Sequence, residues 1–225
     1  MTFSLLGLDR KTGAVGCVVA SSSPAVAARC AHVRAGVGAA GSQNITDPRL
    51  GPRLLDILAE GRRPTEAVDA VTADNPDATY RQLTVIDLHG RTAAYSGERT
   101  LGRHATAQGR DAVAAGNLLA DEGVVVVMVG SFERADDEAL GDRLVAALAA
   151  GLEAGGEEDD VRSAGLLVAG RVPWPIADLR VDWSNDPVSD LAALWRIWKP
   201  QEDDYVTRAL DPRSAPSFGV AGDPR

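Results

Sequence analysis

The chain is poor in basic and aromatic residues, and these shortages exclude two classes of partner. Among its 225 residues, 23 Lys and Arg stand against 32 Asp and Glu, which gives a formal net charge of −9. Only 4% of the residues are aromatic, and no segment combines basic with aromatic side chains as a nucleic-acid surface requires. We therefore expect neither nucleic acid nor an anionic membrane as a partner.

Long apolar runs, a targeting segment and a disulfide framework are also missing. The longest aliphatic run, Val124 to Val129, is far too short to span a membrane, and no basic segment leads into an apolar one at the N-terminus. We therefore expect a cytoplasmic protein. The two cysteines, Cys17 and Cys30, make no disulfide framework, and Cys17 lies inside an apolar strand pattern, which predicts buried free thiols.

With 45% hydrophobic residues, the chain can bury a substantial core. The spacing of its apolar residues changes along the chain between the pattern of strands and the pattern of helices. Strands are predicted over residues 2–8, 14–20, 33–43, 82–88, 92–96, 164–169 and 179–182. Helices are predicted over residues 50–60, 65–75, 123–132 and 140–155, and from residue 186 onwards. Residues 1–199 then form one domain, and the polar residues 200–225 form an extended tail. Strands enclosed by helix pairs favour an α+β fold with two facing sheets, although other layered arrangements fit the pattern as well.

The N-terminus carries the most specific chemical signal. Removal of Met1 leaves Thr2 with a hydroxyl group and a free α-amine on the same residue. An α-amine has a reference pKa of about 7.7–8.0, so part of it is unprotonated at neutral pH and can activate the hydroxyl for acyl transfer. The alternative is that Thr2 simply begins an ordinary strand.

Other motifs in the chain do not support their usual functions. Residues 36–41 match the dinucleotide fingerprint GxGxxG, but the following residues 42–48 break helices, whereas that fingerprint must open a helix. His32, His89 and His104 lack the spacing of metal ligands. We therefore expect neither a metal nor an organic cofactor.

Several polar residues lie among small or apolar neighbours, which makes them candidates for a site. Asn117 follows a glycine and is either an oxyanion donor or the N-cap of a helix. Arg34 is either an electrostatic support that keeps the α-amine unprotonated or a solvated arginine at a strand end. The remaining candidates are Ser22, Gln43, Asn44, Arg81 and Ser163.

Nine ordered segments together resemble the DUF1028 family of uncharacterised bacterial proteins. They are MTFS (1–4), VRAGVG (33–38), SQN (42–44), LGPR (50–53), YRQ (80–82), GNLLA (116–120), RSA (162–164), DLRVD (178–182) and YVTRAL (205–210). The resemblance places the chain in the N-terminal nucleophile (Ntn) hydrolase superfamily. It implies a four-layer αββα sandwich, with two antiparallel sheets between helix pairs, and a nucleophile at the first mature residue.

The opening of the chain is also similar to that of a proteasome β-subunit. Thr2, the serines at 21–23 and Arg34 occupy the places of its threonine, its turn after the second strand and its basic residue. Arginine replaces the usual lysine, and serines replace an acidic residue, so proton transfer is arranged differently here.

These observations predict a hydrolase of amide or related C–N bonds that acts on a small-molecule or short peptide-like substrate. Thr2 is the expected nucleophile, with Arg34, Asn117 and Ser22 as further catalytic residues. Gln43, Asn44, Arg81 and Ser163 are the expected substrate-binding residues. The alternative is a binding or scaffold protein that recognises a small metabolite without turnover.

The four tryptophans after residue 170 cover either the core or a partner, and we favour a homodimer.

Overall fold

Two antiparallel sheets form the centre of the computed structural model, which describes residues 1–73 and 75–217. The larger sheet contains β1 (Thr2–Asp9), β2 (Ala14–Ser21), β7 (His104–Gly109), β8 (Ala112–Asn117), β9 (Ser163–Ala169) and β10 (Pro175–Val181). The smaller sheet contains β3 (Ala31–Arg34), β4 (Gly38–Asn44), β5 (Arg81–Asp87) and β6 (Thr92–Ser96). Their strand orders are β10-β9-β2-β1-β8-β7 and β3-β4-β5-β6, so β1 lies in the middle of the larger sheet.

Helices cover the outer face of each sheet, whereas the short α1 (Ala27–Cys30) packs among the residues between the sheets. The other helices are α2 (Leu50–Ala59), α3 (Pro64–Thr72), α4 (Gly123–Arg134), α5 (Leu140–Glu153), α6 (Pro187–Trp198) and α7 (Glu202–Leu210). Helices α2 and α3 pack on the smaller sheet, and α4, α5 and α6 pack on the larger one. The result is an α+β fold with four layers, helices outside and sheets inside. None of the helices in the described part of the chain has the length and apolar character to cross a membrane.

Strand β1 shows how the sequence separates the layers. Successive side chains of a strand point to opposite faces, so Phe3 and Leu5 pack towards the outer helices, whereas Leu6 and Leu8 pack between the sheets. Thr2 and Ser4 share the face of Leu6 and therefore point between the sheets as well. The space between the sheets is thus apolar at one end of β1 and polar at the other.

Most of the predicted elements are confirmed, including both hairpins and the two helices over residues 50–72. The single strand predicted over residues 33–43 was wrong, because Gly36 adopts a φ of +73° in a turn that separates β3 from β4. A strand, not a helix, follows this glycine-rich turn, as the rejection of the dinucleotide fingerprint requires. Strands β7 and β8 were not predicted, since their small residues give little periodic signal.

The C-terminal segment differs from its prediction. The extended tail was wrong for Glu202–Leu210, which form α7. Three acidic residues in the first turn of α7 complement the positive end of the helix dipole, and Tyr205 stacks on Trp198. The last residues of the predicted tail, 218–225, lie outside the described residues.

The cysteines and tryptophans mostly belong to the core of the protein. Cys17 and Cys30 are buried and unpaired with each other, which confirms the prediction of free thiols. Trp195 is buried against Gly141 of α5, and Trp198 donates to the carbonyl oxygen of Ile176 at 3.0 Å. Trp183, in contrast, is largely exposed.

Close packing between β1 and α4 leads to a stability prediction. A Cβ atom added at Gly7 would lie 2.5 Å from Cζ of the buried Phe132 ring. We expect Gly7→Ala to lower the free energy of unfolding by about 1–3 kcal/mol through overpacking. In the control, Gly130→Ala in α4, the added Cβ meets only the far end of Arg134, and helix propensity predicts a gain of about 0.5–1 kcal/mol. Urea denaturation measures both, and a Gly7→Ala variant as stable as the wild type contradicts the packing argument.

Candidate active site

Thr2 lies where the central strand of the larger sheet begins. It is the first residue of β1 and pairs across the sheet with Asn117, the last residue of β8. Only 5% of Thr2 is exposed, and its neighbours on the inner face are polar. Thr2 is therefore buried among polar side chains, while Met1 before it is partly exposed.

Two hydroxyl groups converge on the carbonyl group that precedes Thr2. The Thr2 Oγ1 and the Ser21 Oγ both donate a hydrogen bond to the carbonyl oxygen of Met1, and the two hydroxyl oxygens are 3.4 Å apart. Ser21 is fully buried and accepts a hydrogen bond from the amide of Ser23 at 3.0 Å. An acyl carbonyl group at this place thus meets a nucleophilic hydroxyl and a second hydroxyl donor together.

A buried network of amide side chains joins the two sheets beside Thr2. Gln82 of β5 donates from Nε2 to the carbonyl oxygen of Gly116 at 2.9 Å and to Ser96 Oγ at 3.0 Å. Its Oε1 accepts from Gln43 Nε2 at 2.8 Å and from Asn117 Nδ2 at 3.1 Å. Ser4 Oγ donates to Gln43 Oε1 at 2.7 Å.

The backbone carbonyl of Gly116 determines the direction of every bond in this network. Because a carbonyl oxygen only accepts, Gln82 must turn Nε2 towards it and Oε1 away from it. Gln43 and Asn117 must then offer their N–H groups to Gln82. The free atom of Asn117 is therefore Oδ1, which has no hydrogen-bond partner among the described residues although Asn117 is fully buried.

This orientation revises the predicted role of Asn117. The helix N-cap is wrong, because Asn117 ends β8 and the next helix begins only at Gly123. One N–H of its side-chain amide is already used by Gln82, and its Oδ1 has no partner among the described residues, so the structure places an acceptor beside Thr2. The oxyanion donor stays a prediction, and it depends on the second N–H of the same amide. Thr2 and Asn117 are direct cross-strand neighbours, and side chains in such pairs have Cβ atoms about 4.5–5.5 Å apart. Asn117 Oδ1 is thus a buried acceptor on the strand neighbour of Thr2.

Glu157 is an acidic residue of the site that the sequence did not reveal. It is 5% exposed, and neither carboxylate oxygen has a hydrogen-bond partner of standard geometry within the described residues. Burial raises the pKa of Glu157 to about 8, although the nearby Met1 α-amine and Ser22 both act to lower it. Since residues 157–160 form an acidic run, which is typical of a solvated loop, no sequence signal singled out its first member.

Cys30 lies close to the same terminus. Burial raises the pKa of its thiol, which is in hydrogen-bond contact with Thr46 Oγ1 at 3.4 Å. The positive charges of Arg29 and the Met1 α-amine lower that pKa by less. The thiol therefore stays protonated near neutral pH, so Cys30 does not provide a second nucleophile.

The structure does not bring Arg34 to Thr2. Arg34 pairs with Gly38 at the far end of β4, five residues from Gln43 or about 17 Å along the strand. Its guanidinium group forms an ion pair with Asp56 of α2 at 2.9 Å. The predicted electrostatic support was therefore wrong, because β3 runs from Ala31, opposite Gly41, to Arg34, opposite Gly38, and so leads away from the polar end of the sheets.

Asn44 and Arg81 are also used elsewhere. Asn44 Nδ2 donates to the carbonyl oxygen of Tyr80 at 2.6 Å, and Arg81 donates to the carbonyl oxygen of Ile45. The amide of Leu101 donates to Asn44 Oδ1 at 3.2 Å. Both side chains tie loops together at the ends of β4 and β5, and neither is placed between the sheets.

Ser163 and Ser22 hold the loop that follows β2. Ser163 Oγ donates to the carbonyl oxygen of Ser23 at 2.6 Å and accepts from the amide of Val26 at 3.1 Å. Ser163 therefore positions Ser21 indirectly and is not free to bind a substrate. Ser22 lies beside Glu157 and lines a cleft of about 490 Å³ together with Arg162 and Trp183.

Of the predicted residues, Thr2, Asn117 and Gln43 are thus grouped at one site, with Ser22 at its rim. Sequence reasoning missed Glu157. It noted Gln82 only as a polar residue of the YRQ segment and Ser21 only as part of a serine run, and it assigned neither to the site. Within the ranges 1–73 and 75–217, no three His, Cys, Asp or Glu residues are grouped as metal ligands would be.

The buried Glu157 leads to a prediction about pH. Its pKa is raised in the folded state from an ordinary value of 4.5 to about 8, so the folded protein binds this proton more tightly than the unfolded chain. The stabilising effect is complete below pH 4.5 and is lost as the pH rises through about 8. We therefore expect wild-type stability to fall over this interval relative to Glu157→Gln. Urea denaturation at several pH values measures this, with the exposed Glu158→Gln as the control. Parallel profiles for wild type and Glu157→Gln contradict it.

Comparisons with known proteins place this fold and site in a family. The crystal structure of protein SPO2555 from Silicibacter pomeroyi, which is assigned to DUF1028, matches with a TM-score of 0.83 and 31% sequence identity. The match covers 91% of this chain and 89% of that one. No curated protein matches the sequence. Residues 2–191 match the model of a family of unknown function, DUF1028, and the chain therefore belongs to the DUF1028 family.

Proposed function

We propose that the protein is an N-terminal nucleophile hydrolase that cleaves an amide or related C–N bond, with Thr2 as its nucleophile after removal of Met1. One observation carries this proposal. The hydroxyl groups of Thr2 and Ser21 both donate to the carbonyl oxygen of Met1, so the acyl group attached to Thr2 already occupies a site with a nucleophile and a donor. The four-layer arrangement, in which the first mature residue begins a central strand, supports the assignment to the Ntn superfamily.

The first chemical step forms an ester bond on Thr2. The Thr2 Oγ1 attacks the substrate carbonyl carbon while the α-amine of Thr2 takes the hydroxyl proton. The Ser21 hydroxyl donates to the oxygen as negative charge develops on it. When the tetrahedral intermediate collapses, the C–N bond breaks, and the same amine passes the proton to the leaving nitrogen.

The second step regenerates the enzyme. A water molecule attacks the ester carbon, the α-amine of Thr2 accepts one of its protons, and that proton returns to Thr2 Oγ1 as the C–O bond breaks. Asn117 Oδ1 accepts an N–H of the α-amine, which directs the nitrogen lone pair towards the hydroxyl group. The network through Gln82 and Gln43 holds Asn117 in this orientation.

The cleft beside Ser22 is the proposed entrance for the substrate. Its volume of about 490 Å³ lies within the range of about 300–1,000 Å³ that small-molecule sites occupy. Glu158, Asp159, Asp160, Arg162 and Trp183 complete its lining. Its size suits a small molecule or a short peptide-like substrate.

The competing function is that of a non-catalytic binding protein. Removal of the proposed nucleophile distinguishes the two functions. We expect the intact mass of the untagged protein to lack Met1, and Thr2→Ala to lower kcat by at least about 10³-fold on amide substrates, because the nucleophile is removed. Thr2→Ser should retain measurable turnover. Thr65→Ala, at an exposed position of α3, is the matched control. Retention of Met1, or full activity of the Thr2→Ala variant, would contradict the hydrolase function and favour the binding function.

Ser21 has a testable part in this mechanism. We expect Ser21→Ala to lower kcat by about 10²–10³-fold with a smaller change in KM, since the lost hydrogen bond is strongest in the transition state. Ser23→Ala is the control, because Ser23 contacts the site only through its backbone. Steady-state kinetics measure the effect, with thermal unfolding as a check on folding. A change confined to KM would assign Ser21 to ground-state binding instead.

A further inference from the structure

Met1 occupies the site in the manner of a bound acyl group. Its carbonyl oxygen accepts from Thr2 and Ser21, as the carbonyl of a substrate does in the proposed mechanism. The α-amine of the same residue lies close enough to Glu157 to act on the charge of its carboxylate. The chain thus presents an aminoacyl group to its own active site, with the carbonyl at one end and a free ammonium group at the other.

No hydrogen bond of standard geometry within the described residues offsets the burial of the Glu157 carboxyl group. Removing such a group from water is costly unless it is paired, and Ser22, which lies beside it, lowers its pKa by less than burial raises it. The residue is nevertheless only 5% exposed. Such an orphaned acceptor is typical of a site whose partner arrives with a ligand.

Backbone hydrogen bonds hold Glu157 beside the residues that follow β8. The amide of Glu158 donates to the carbonyl oxygen of Leu118 at 2.9 Å, and the amide of Ala120 donates to that of Gly156 at 3.1 Å. Leu119 and Glu157 form an antiparallel bridge. Leu118 directly follows Asn117, the strand partner of Thr2, so these bonds place the Glu157 backbone next to the end of β8.

Resting on the proposed function, we propose that the substrate carries a free, protonated α-amine on its acyl residue, and that Glu157 binds this ammonium group. The substrate class is then aminoacyl amides and short peptides with a free N-terminus. In the mature protein the ammonium group of the substrate takes the place that the Met1 α-amine leaves. Glu157 is a specificity-determining residue in this assignment, while Thr2 carries out the chemistry.

The charge of the entrance agrees with a cationic ligand. Glu158, Asp159 and Asp160 line the cleft beside Ser22, and Arg162 in the same lining is paired with Asp160 at 2.7 Å. The whole chain has a formal charge of −9. A cleft lined by one sign of charge concentrates ligands of the opposite sign.

The alternative role for Glu157 is to pair with the α-amine of Thr2 itself. In that case its replacement would affect every substrate alike, whether or not the substrate has a free amine. Binding by Glu157 of the substrate ammonium group predicts a loss that is confined to ligands with that group. A pair of ligands that differ only by acetylation of the amine therefore separates the two roles.

The first experiment measures binding to the full chain that begins at Thr2, with its mass verified. Calorimetry compares methioninamide with N-acetylmethioninamide for wild type, Glu157→Gln and Glu153→Gln. We expect wild type to bind methioninamide about 10- to 100-fold more tightly than its acetylated form. Glu157→Gln should reduce this preference to about threefold or less, while Glu153→Gln, at an exposed position of α5, should retain it.

The same pair of ligands as p-nitroanilides tests turnover. We expect Glu157→Gln to raise KM for methionine p-nitroanilide about 10-fold or more and to leave the kinetics of the acetylated substrate nearly unchanged. Selective binding of the free amine without hydrolysis of either compound would reject the proposed function and keep the role of Glu157. Preferred hydrolysis of the acetylated compound would keep the function and overturn that role.

Two further outcomes overturn the inference. One is equal binding of both amides to wild type, or binding of neither. The other is a Glu157→Gln variant that weakens both ligands by the same factor, which would assign Glu157 to the α-amine of Thr2. Thermal unfolding of Glu157→Gln checks that the fold is intact. Because the pKa of Glu157 rises to about 8 on folding, the wild type must take up a proton to fold at neutral pH, and the loss of this cost predicts a melting temperature at or above that of wild type.

Discussion

The hydrogen bond from Gln82 to the carbonyl oxygen of Gly116 is the contact on which the geometry of the site depends. It crosses from the smaller sheet to the larger one at the polar end of the space between them. Because the acceptor belongs to the backbone, the bond has only one direction, and it orients Gln43 and Asn117 in turn. Without it, two amide side chains beside Thr2 would be free to rotate, and the acceptor offered to the terminal amine would be lost.

The site combines this satisfied network with two groups that are not satisfied. The buried polar groups of Gln43, Gln82 and Ser4 form hydrogen bonds with one another. These bonds rigidify the junction of the sheets and offset the desolvation of the groups. Among the residues that the structure describes, Asn117 Oδ1 and the Glu157 carboxylate have no hydrogen bond of standard geometry, and only Ser22 lies beside the latter as a polar neighbour. Each lies close to the N-terminus. A ligand, or the α-amine of Thr2 in the mature protein, can therefore pair with these groups and offset the free-energy cost of their burial. Such local instability is a common cost of a preorganised site.

How far the site was predictable depends on how local each signal is. Thr2 was recognisable as a candidate because the proposed nucleophile and its base belong to a single residue. Arg34 was misplaced because its role depended on the direction of β3, whose pairing puts Arg34 opposite Gly38 at the far end of the sheet. Glu157 gave no signal at all. Its neighbours in sequence are also acidic, and only its burial beside β8 distinguishes it from them.

The sequence by itself determined the secondary elements with strong periodicity, the family resemblance and the candidate nucleophile, since these depend on residues that are near one another along the chain. Tertiary structure alone decided which polar groups meet. Gln82 and Gly116, Ser21 and Met1, and Glu157 and the terminal amine are far apart in sequence, and strand pairing together with the packing of one sheet on the other brings them together. The direction of a hydrogen bond, the burial of a side chain and the pKa of its titratable group all depend on such long-range contacts. These contacts decide which atoms exclude water from the group and which atoms donate hydrogen bonds to it.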